Sequence, residues 1–224
     1  MTFSIAARCP HSGMLGIAIS SSSPAVAARC AHAKAGIGVV ASQNVTDPAL
    51  GQRGLALMER GLSARAALAD LLSGYPTAEW RQLAIVDRHG KTAVFSGERT
   101  LGVHAAVEGD NAVAAGNLLA SKLVPQRMLE ALQASSGHLG DRLLAAMAAG
   151  LAAGGEAGPV HSAGLYLVQD VSWPVADLRV DWTDGCPIEE LSALWGIYKP
   201  QIEDYVRRAI DPTAAPSYGV PGDE

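Results

Sequence analysis

Residues 2–19 read Thr2-Phe3-Ser4-Ile5-Ala6-Ala7-Arg8-Cys9-Pro10-His11-Ser12-Gly13-Met14-Leu15-Gly16-Ile17-Ala18-Ile19. Phe3, Ile5 and Ala7 alternate with Ser4 and Ala6. A Pro- and Gly-containing stretch from Cys9 to Gly13 supplies turn chemistry, and Leu15, Ile17 and Ile19 resume the alternation. Period two on both sides of a turn predicts an antiparallel hairpin, with Thr2 at the open end of its first strand. Loss of Met1 would leave Thr2 with a free α-amine. A hydroxyl at that place is either a nucleophile or a good beginning for a strand.

Ser23-Pro24 reads as an N-cap and first-turn proline for an Ala-rich helix running toward Lys34 and stopping at Gly36. Residues 37–42 form a short apolar strand. Asp47-Pro48 starts a second helix by the same logic, and Ser63 caps a third through about Leu72. Strands follow at 82–86 and 92–95, and a third segment runs from about 107 to 115. Leu123, Met128 and Leu132 share one helix face, as do Leu139, Leu143, Met147 and Leu151 on the next. Strands at 163–168 and 175–182 precede a helix from Ile188 that breaks or restarts at Pro200. Hairpins grouped between helix pairs exclude a regular βαβ alternation. They predict an α+β fold of sheets covered by helix pairs, with residues 1–210 as one domain and 211–224 as a flexible C-terminal tail.

The 224 residues carry 17 Lys and Arg against 22 Asp and Glu, a formal charge of −5 with neither sign in a run. Nucleic acid and anionic membranes both need a dense basic footprint, so neither is expected as a partner. No secretory start and no membrane-spanning apolar run are visible, and a cytoplasmic protein is expected. Three widely spaced cysteines, Cys9, Cys30 and Cys186, signal neither a disulfide framework nor a thiolate metal site. No metal and no cofactor are expected. Walker, G-x-S-x-G and H-E-x-x-H patterns are absent.

Gln43-Asn44, Gln82 and Gly116-Asn117 fall at predicted strand ends, where amides either stabilise an oxyanion or form ordinary turns. Asp177, Arg179 and Asp181 share one strand face, as a site or as a charged edge. Ser20 to Ser23 is explained by a cap and a polar strand end. Ser162 beside His161 offers a separate hydroxyl-centred site.

Together these fragments carry a resemblance. The opening T-F-S-I-A-A-R, A-G-I-G-V-V-A-S-Q at 35–43, R-G-L at 53–55, R-Q-L-A-I-V-D at 81–87, G-N at 116–117, A-A-G-G-E at 152–156, S-A at 162–163 and D-L-R-V-D at 177–181 resemble the bacterial and archaeal family catalogued as domain of unknown function 1028. The similarity spans most of residues 2–195. That family is grouped with the N-terminal nucleophile (Ntn) hydrolases. The resemblance implies a four-layer αββα sandwich of two antiparallel sheets between helix layers.

It also implies an amidohydrolase of small amide, ureido or cyclic amide C–N bonds. Thr2 would attack, its own α-amine would act as base, and Gln43 or Asn117 would stabilise the oxyanion. An α-amine titrates near pH 8 and is partly unprotonated at neutral pH. Asn44, Gln82, Glu156, His161, Ser162, Asp177 and Arg179 are the implied substrate-binding residues, and the partner is a small-molecule substrate. The alternative is a non-catalytic member of the fold that binds a small polar metabolite or a protein partner. The Ala-rich helices and the cluster Trp195, Ile197 and Tyr198 predict a homodimer, with packing inside one chain as the competing reading.

Overall fold

The expected hairpin forms. In the computed structural model, which describes residues 1–222, strand β1 (Thr2–Arg8) pairs antiparallel with β2 (Leu15–Ser21) from Phe3 opposite Ser20 to Arg8 opposite Leu15. Strand alternation then sorts the side chains. Phe3, Ile5 and Ala7 face a helix-covered core, whereas Ala6, Leu15 and Ile17 face a second sheet.

The remaining strands are β3 (Ala31–Lys34), β4 (Gly38–Asn44), β5 (Arg81–Asp87), β6 (Thr92–Ser96), β7 (Ala105–Gly109), β8 (Ala112–Asn117), β9 (Ser162–Val168) and β10 (Ala176–Val180). They form a six-stranded sheet in the order β10-β9-β2-β1-β8-β7 and a four-stranded sheet in the order β3-β4-β5-β6. Every pairing between these strands is antiparallel. Helices α2 (Pro48–Glu59) and α3 (Ala64–Leu72) cover the outer face of the smaller sheet, with Leu50, Met58 and Leu71 packed on Val40, Leu83 and Ile85. Helices α4 (Val124–Ala134), α5 (Leu139–Ala152) and α6 (Pro187–Tyr198) cover the larger one. The architecture is the αββα sandwich. Between the sheets the packing is small and branched, with Ala6, Ala41, Ala84 and Ala115 among Ile17, Val39, Val86 and Val113.

Local chemistry explains two of the three caps that were expected. The Asp47 side chain accepts from the Ala49 N–H, and Ser63 accepts from Ala66. Two expectations need correction. The Ala-rich helix is only α1 (Val26–Cys30). Its N-cap is Ala25 at φ 50°, and no side chain caps it. The Ser23 hydroxyl instead meets Ser21 and accepts from the Arg29 guanidinium at 2.8 Å. Residues 31–34 extend and pair with β4, because ladder bonds to a buried strand outweigh the helix propensity of Ala. The segment at 107–115 is two strands, β7 and β8, joined by a tight turn with Asn111 at φ 60°.

After α6, residues Lys199–Gln201 form a 3₁₀ turn and α7 spans Ile202–Ile210. Trp195 packs within the chain, its indole donating to Asp141 at 2.8 Å, while Ile197 stays exposed. Within the expected tail, the Arg208 guanidinium lies 3.8 Å from the Tyr218 ring centre, and residues 223–224 lie outside the described residues.

Helix α1 approaches β9 so closely that a Cβ on Gly164 would lie 2.3 Å from Ala27 Cβ. Gly164→Ala is expected to lower unfolding free energy by about 1–3 kcal/mol through overpacking. Gly196→Ala, on α6 with nothing within 4 Å, is expected to raise it by about 0.5–1 kcal/mol. Urea titration of both variants checks the pair.

Candidate active site

One end of the sandwich is polar where the rest of its interior is apolar. On β1 the alternation that buries Ala6 between the sheets also turns Ser4 and Thr2 inward. Thr2 pairs with Asn117 at the end of β8, and Ser21 pairs with Ser162 at the start of β9. From the facing sheet Gln43, paired with Gln82, closes the gap. Thr2, Ser4, Gln43, Gln82 and Asn117 are all at most 5 % exposed.

Buried amides must find partners, and these do so in one continuous chain. Ser4 Oγ donates to Gln43 Oε1 at 2.7 Å. Gln43 Nε2 donates to Gln82 Oε1 at 2.9 Å, and Asn117 Nδ2 donates to the same oxygen at 3.1 Å. Gln82 Nε2 donates to Ser96 Oγ at 2.9 Å and to the Gly116 carbonyl at 3.0 Å. Gln82 therefore ties the two sheets together at the Thr2 end, beside the Ser4–Gln43 bond. Asn44, at φ 77°, instead anchors the loop before β7, its Oδ1 accepting from the Leu101 N–H at 3.2 Å.

Glu156 arrives from the other side. Helix α5 ends in a glycine turn, with Gly154 at φ 115° and Gly155 at φ 55°, and the Gly155 N–H returns to the Gly150 carbonyl. This delivers Glu156 to a bridge with Leu119, just beyond Asn117. Both carboxylate oxygens accept from the Ser22 N–H at 3.1 Å. Burial pushes the carboxyl up to about 7, against the opposing pull of the Met1 ammonium, Ser22 and His161. The Met1 carbonyl accepts from the hydroxyls of both Thr2 and Ser21.

His161 and Ser162 do not form a dyad. His161 Nδ1 lies 2.8 Å from the Thr183 carbonyl and its ring stacks on Trp182. Ser162 Oγ donates to the Ser23 carbonyl at 2.6 Å. Asp177 and Arg179 line a separate cleft with His32, Lys34 and Tyr166, and Arg179 pairs with Asp181 at 3.2 Å. The structure thus gathers Thr2, Gln43, Gln82, Asn117 and Glu156, keeps Asn44, His161 and Ser162 in adjoining contacts, and leaves Asp177 and Arg179 elsewhere. Ser4 is not among the residues expected from the sequence, and Ser21 and Ser22, read there as part of a cap and a polar strand end, contact Met1 and Glu156. For Ser4 the signal was present: a hydroxyl at an inward position of an otherwise apolar strand. Among the described residues no group of three or more His, Cys, Asp or Glu could hold a metal, and no helix is long and apolar enough to cross a membrane.

Gln82→Leu strips partners from Gln43, Asn117 and the Gly116 carbonyl together. A loss of roughly 2–5 kcal/mol in unfolding free energy is expected by urea titration. Glu156 gives a pH signature. A carboxyl held near 7 when folded keeps its proton where the unfolded chain has lost it. Stability contributed there is full below about pH 4.5 and falls as pH rises toward about 7, by a few kcal/mol at most. In Glu156→Gln that decline should vanish, as thermal melts from pH 4 to 8 would show.

With that geometry established, comparison with known proteins is informative. The crystal structure of protein SPO2555 from Silicibacter pomeroyi, itself assigned to DUF1028, is similar at 29 % identity and TM-score 0.85, over 92 % of this chain and 90 % of that one. Anbu, the ancestral beta-subunit from Yersinia bercovieri, aligns at 14 % identity and TM-score 0.40, over 91 % of this chain and 97 % of its own. No curated protein matches. The model of a family of unknown function, DUF1028, matches residues 2–191, and the chain belongs to that family.

Proposed function

We propose that the protein hydrolyses a small C–N bond, in an amide, ureido or cyclic amide, with Thr2 as amino-terminal nucleophile once Met1 is removed. The observation that supports this reading is the setting of the Thr2 hydroxyl. It lies at the polar end of the inter-sheet space, and the Met1 carbonyl that accepts from it also receives the Ser21 hydroxyl. A substrate carbonyl seated there would meet both a nucleophile and a donor.

In the proposed reaction Thr2 Oγ1 attacks the carbonyl carbon while the Thr2 α-amine takes the hydroxyl proton. Ser21 Oγ and the second hydrogens on the Gln43 and Asn117 amide nitrogens are the donors for the oxyanion. The proton passes to the leaving nitrogen, the C–N bond breaks, and an ester remains on Thr2. Water, with the amine again as base, releases the acid and restores Thr2. Glu156 and His161 then border the substrate, and Gln82 supports the amides and stays out of contact with it. Ile197 and Ile210, 67 % and 65 % exposed, support a homodimer, which light scattering tests.

Intact-mass measurement is expected to show a chain lacking Met1. Against a panel of small amides and ureides, Thr2→Ala should lose at least about 10³-fold in kcat while Thr2→Ser retains turnover. A chain that keeps Met1, or turnover that survives in Thr2→Ala, overturns the mechanism.

A further inference from the structure

One buried atom at the Thr2 end has no partner. A backbone carbonyl can only accept, so the bond from Gln82 to the Gly116 oxygen identifies the Gln82 atom there as Nε2. Its Oε1 must then be the atom shared by Gln43 and Asn117, and both must present nitrogen to it. The orientation of Asn117 is thereby fixed. Its Nδ2 faces Gln82, and its Oδ1, on the opposite limb of the planar amide, is turned away from that contact. Asn117 is 1 % exposed, and among the described residues Oδ1 accepts no hydrogen bond. An unpaired buried acceptor is destabilising, so the site calls for a donor.

Thr2 is the cross-strand partner of Asn117, and their side chains share the inter-sheet face. In the chain that carries Met1, the Thr2 nitrogen is a peptide nitrogen with one hydrogen, and the Thr2 hydroxyl is engaged by the Met1 carbonyl. Removal of Met1 changes both. We propose that Asn117 Oδ1 receives the α-amino group of the mature Thr2, making Asn117 a positioning residue that aims the amine and is itself aimed by Gln82. This rests on the Thr2 reading above.

The chemistry favours an amide in that role. A neutral α-amine has two N–H bonds and one lone pair, and binding an N–H to a fixed acceptor leaves the lone pair free to face the adjacent hydroxyl. A carboxylate would orient the amine equally well but would favour its protonated form, which cannot act as base. With Met1 present, its ammonium acts on Glu156 and on the Cys30 thiol, where His161 and Arg29 respectively also act, so these are the titratable and charged groups at this end of the chain. Asn117 adds an acceptor without adding charge.

The test is titration of the Thr2 α-amine by NMR in ¹⁵N-threonine-labelled protein whose chain begins at Thr2, released from a cleavable fusion where needed. Asn117→Asp keeps Oδ1 and adds charge, and is expected to raise the amine pKa by about one unit or more. Asn117→Leu removes the acceptor and is expected to lower it. An amine whose titration is the same in the wild type and Asn117→Asp overturns the proposal, and that comparison suffices if the Leu variant does not fold. Failure of the two readings is separable. Native protein that keeps Met1 defeats the nucleophile, yet the Thr2-first chain still decides the contact. Thr2-dependent hydrolysis with an unmoved titration overturns the contact alone.

Discussion

The hydrogen bond from Gln82 Nε2 to the Gly116 carbonyl, 3.0 Å long, crosses from one sheet to the other, and the arrangement at the Thr2 end depends on it. Because its acceptor is a backbone carbonyl, the bond has one direction, and every amide linked to Gln82 inherits an orientation from it. Gln43 turns its oxygen to Ser4, and Asn117 turns its oxygen away from Gln82. Apolar contacts could hold the sheets together equally well, but they would not fix which atom of each side chain faces Thr2. A satisfied polar chain in a low-dielectric interior does.

The small residues between the sheets make that chain possible. Ala6, Ala41, Ala84 and Ala115 let the two layers approach, so that a glutamine from each strand of a β4–β5 pair can span to β1 and β8. Larger side chains at those places would hold the layers apart and leave the amides to water. The low aromatic content, with only two Phe in the whole chain, follows the same logic. The two sheets pack closely along their length, and polarity is confined to one end.

Much of this was legible in the sequence. The period-two stretches on either side of Cys9–Gly13, and the caps at Asp47 and Ser63, are local rules that the folded chain obeys. Gln43, Gln82 and Asn117 could be named because each falls at or next to a strand end. Their meeting at one oxygen could not, since it depends on register across two sheets. The helix expected toward Lys34 failed for a related reason: the helix propensity of Ala31 and Ala33 is local, and pairing along the edge of β4 overrode it. Asp177 and Arg179 alternate as expected, but β9 and β2 separate their strand from β1.

Backbone strain sharpens the picture. Among the described residues, four other than glycine adopt positive φ: Ala25, Asn44, Asn111 and Leu118. Asn111 makes a hairpin turn, where such a conformation is routine. The other three sit beside strand or helix ends. Ala25 precedes α1, beside the Ser23 carbonyl that Ser162 holds, Asn44 ends β4, and Leu118 follows Asn117 directly. A left-handed Ala or Leu costs on the order of 1–3 kcal/mol and persists only where surrounding contacts impose it. Those contacts are visible: Ala25 N–H bonds the Asp181 carbonyl, and Leu118 N–H bonds the Leu101 carbonyl. The unpaired Asn117 oxygen and the buried Glu156 add further cost at the Thr2 end. Stability is therefore surrendered at this end, while elsewhere the described sandwich is closely packed and, Arg81 Nε apart, its buried side-chain polar atoms are paired. That distribution is hard to derive from the needs of folding, which would favour an apolar end. It follows directly if the Thr2 end must keep acceptors and a carboxyl out of water for chemistry.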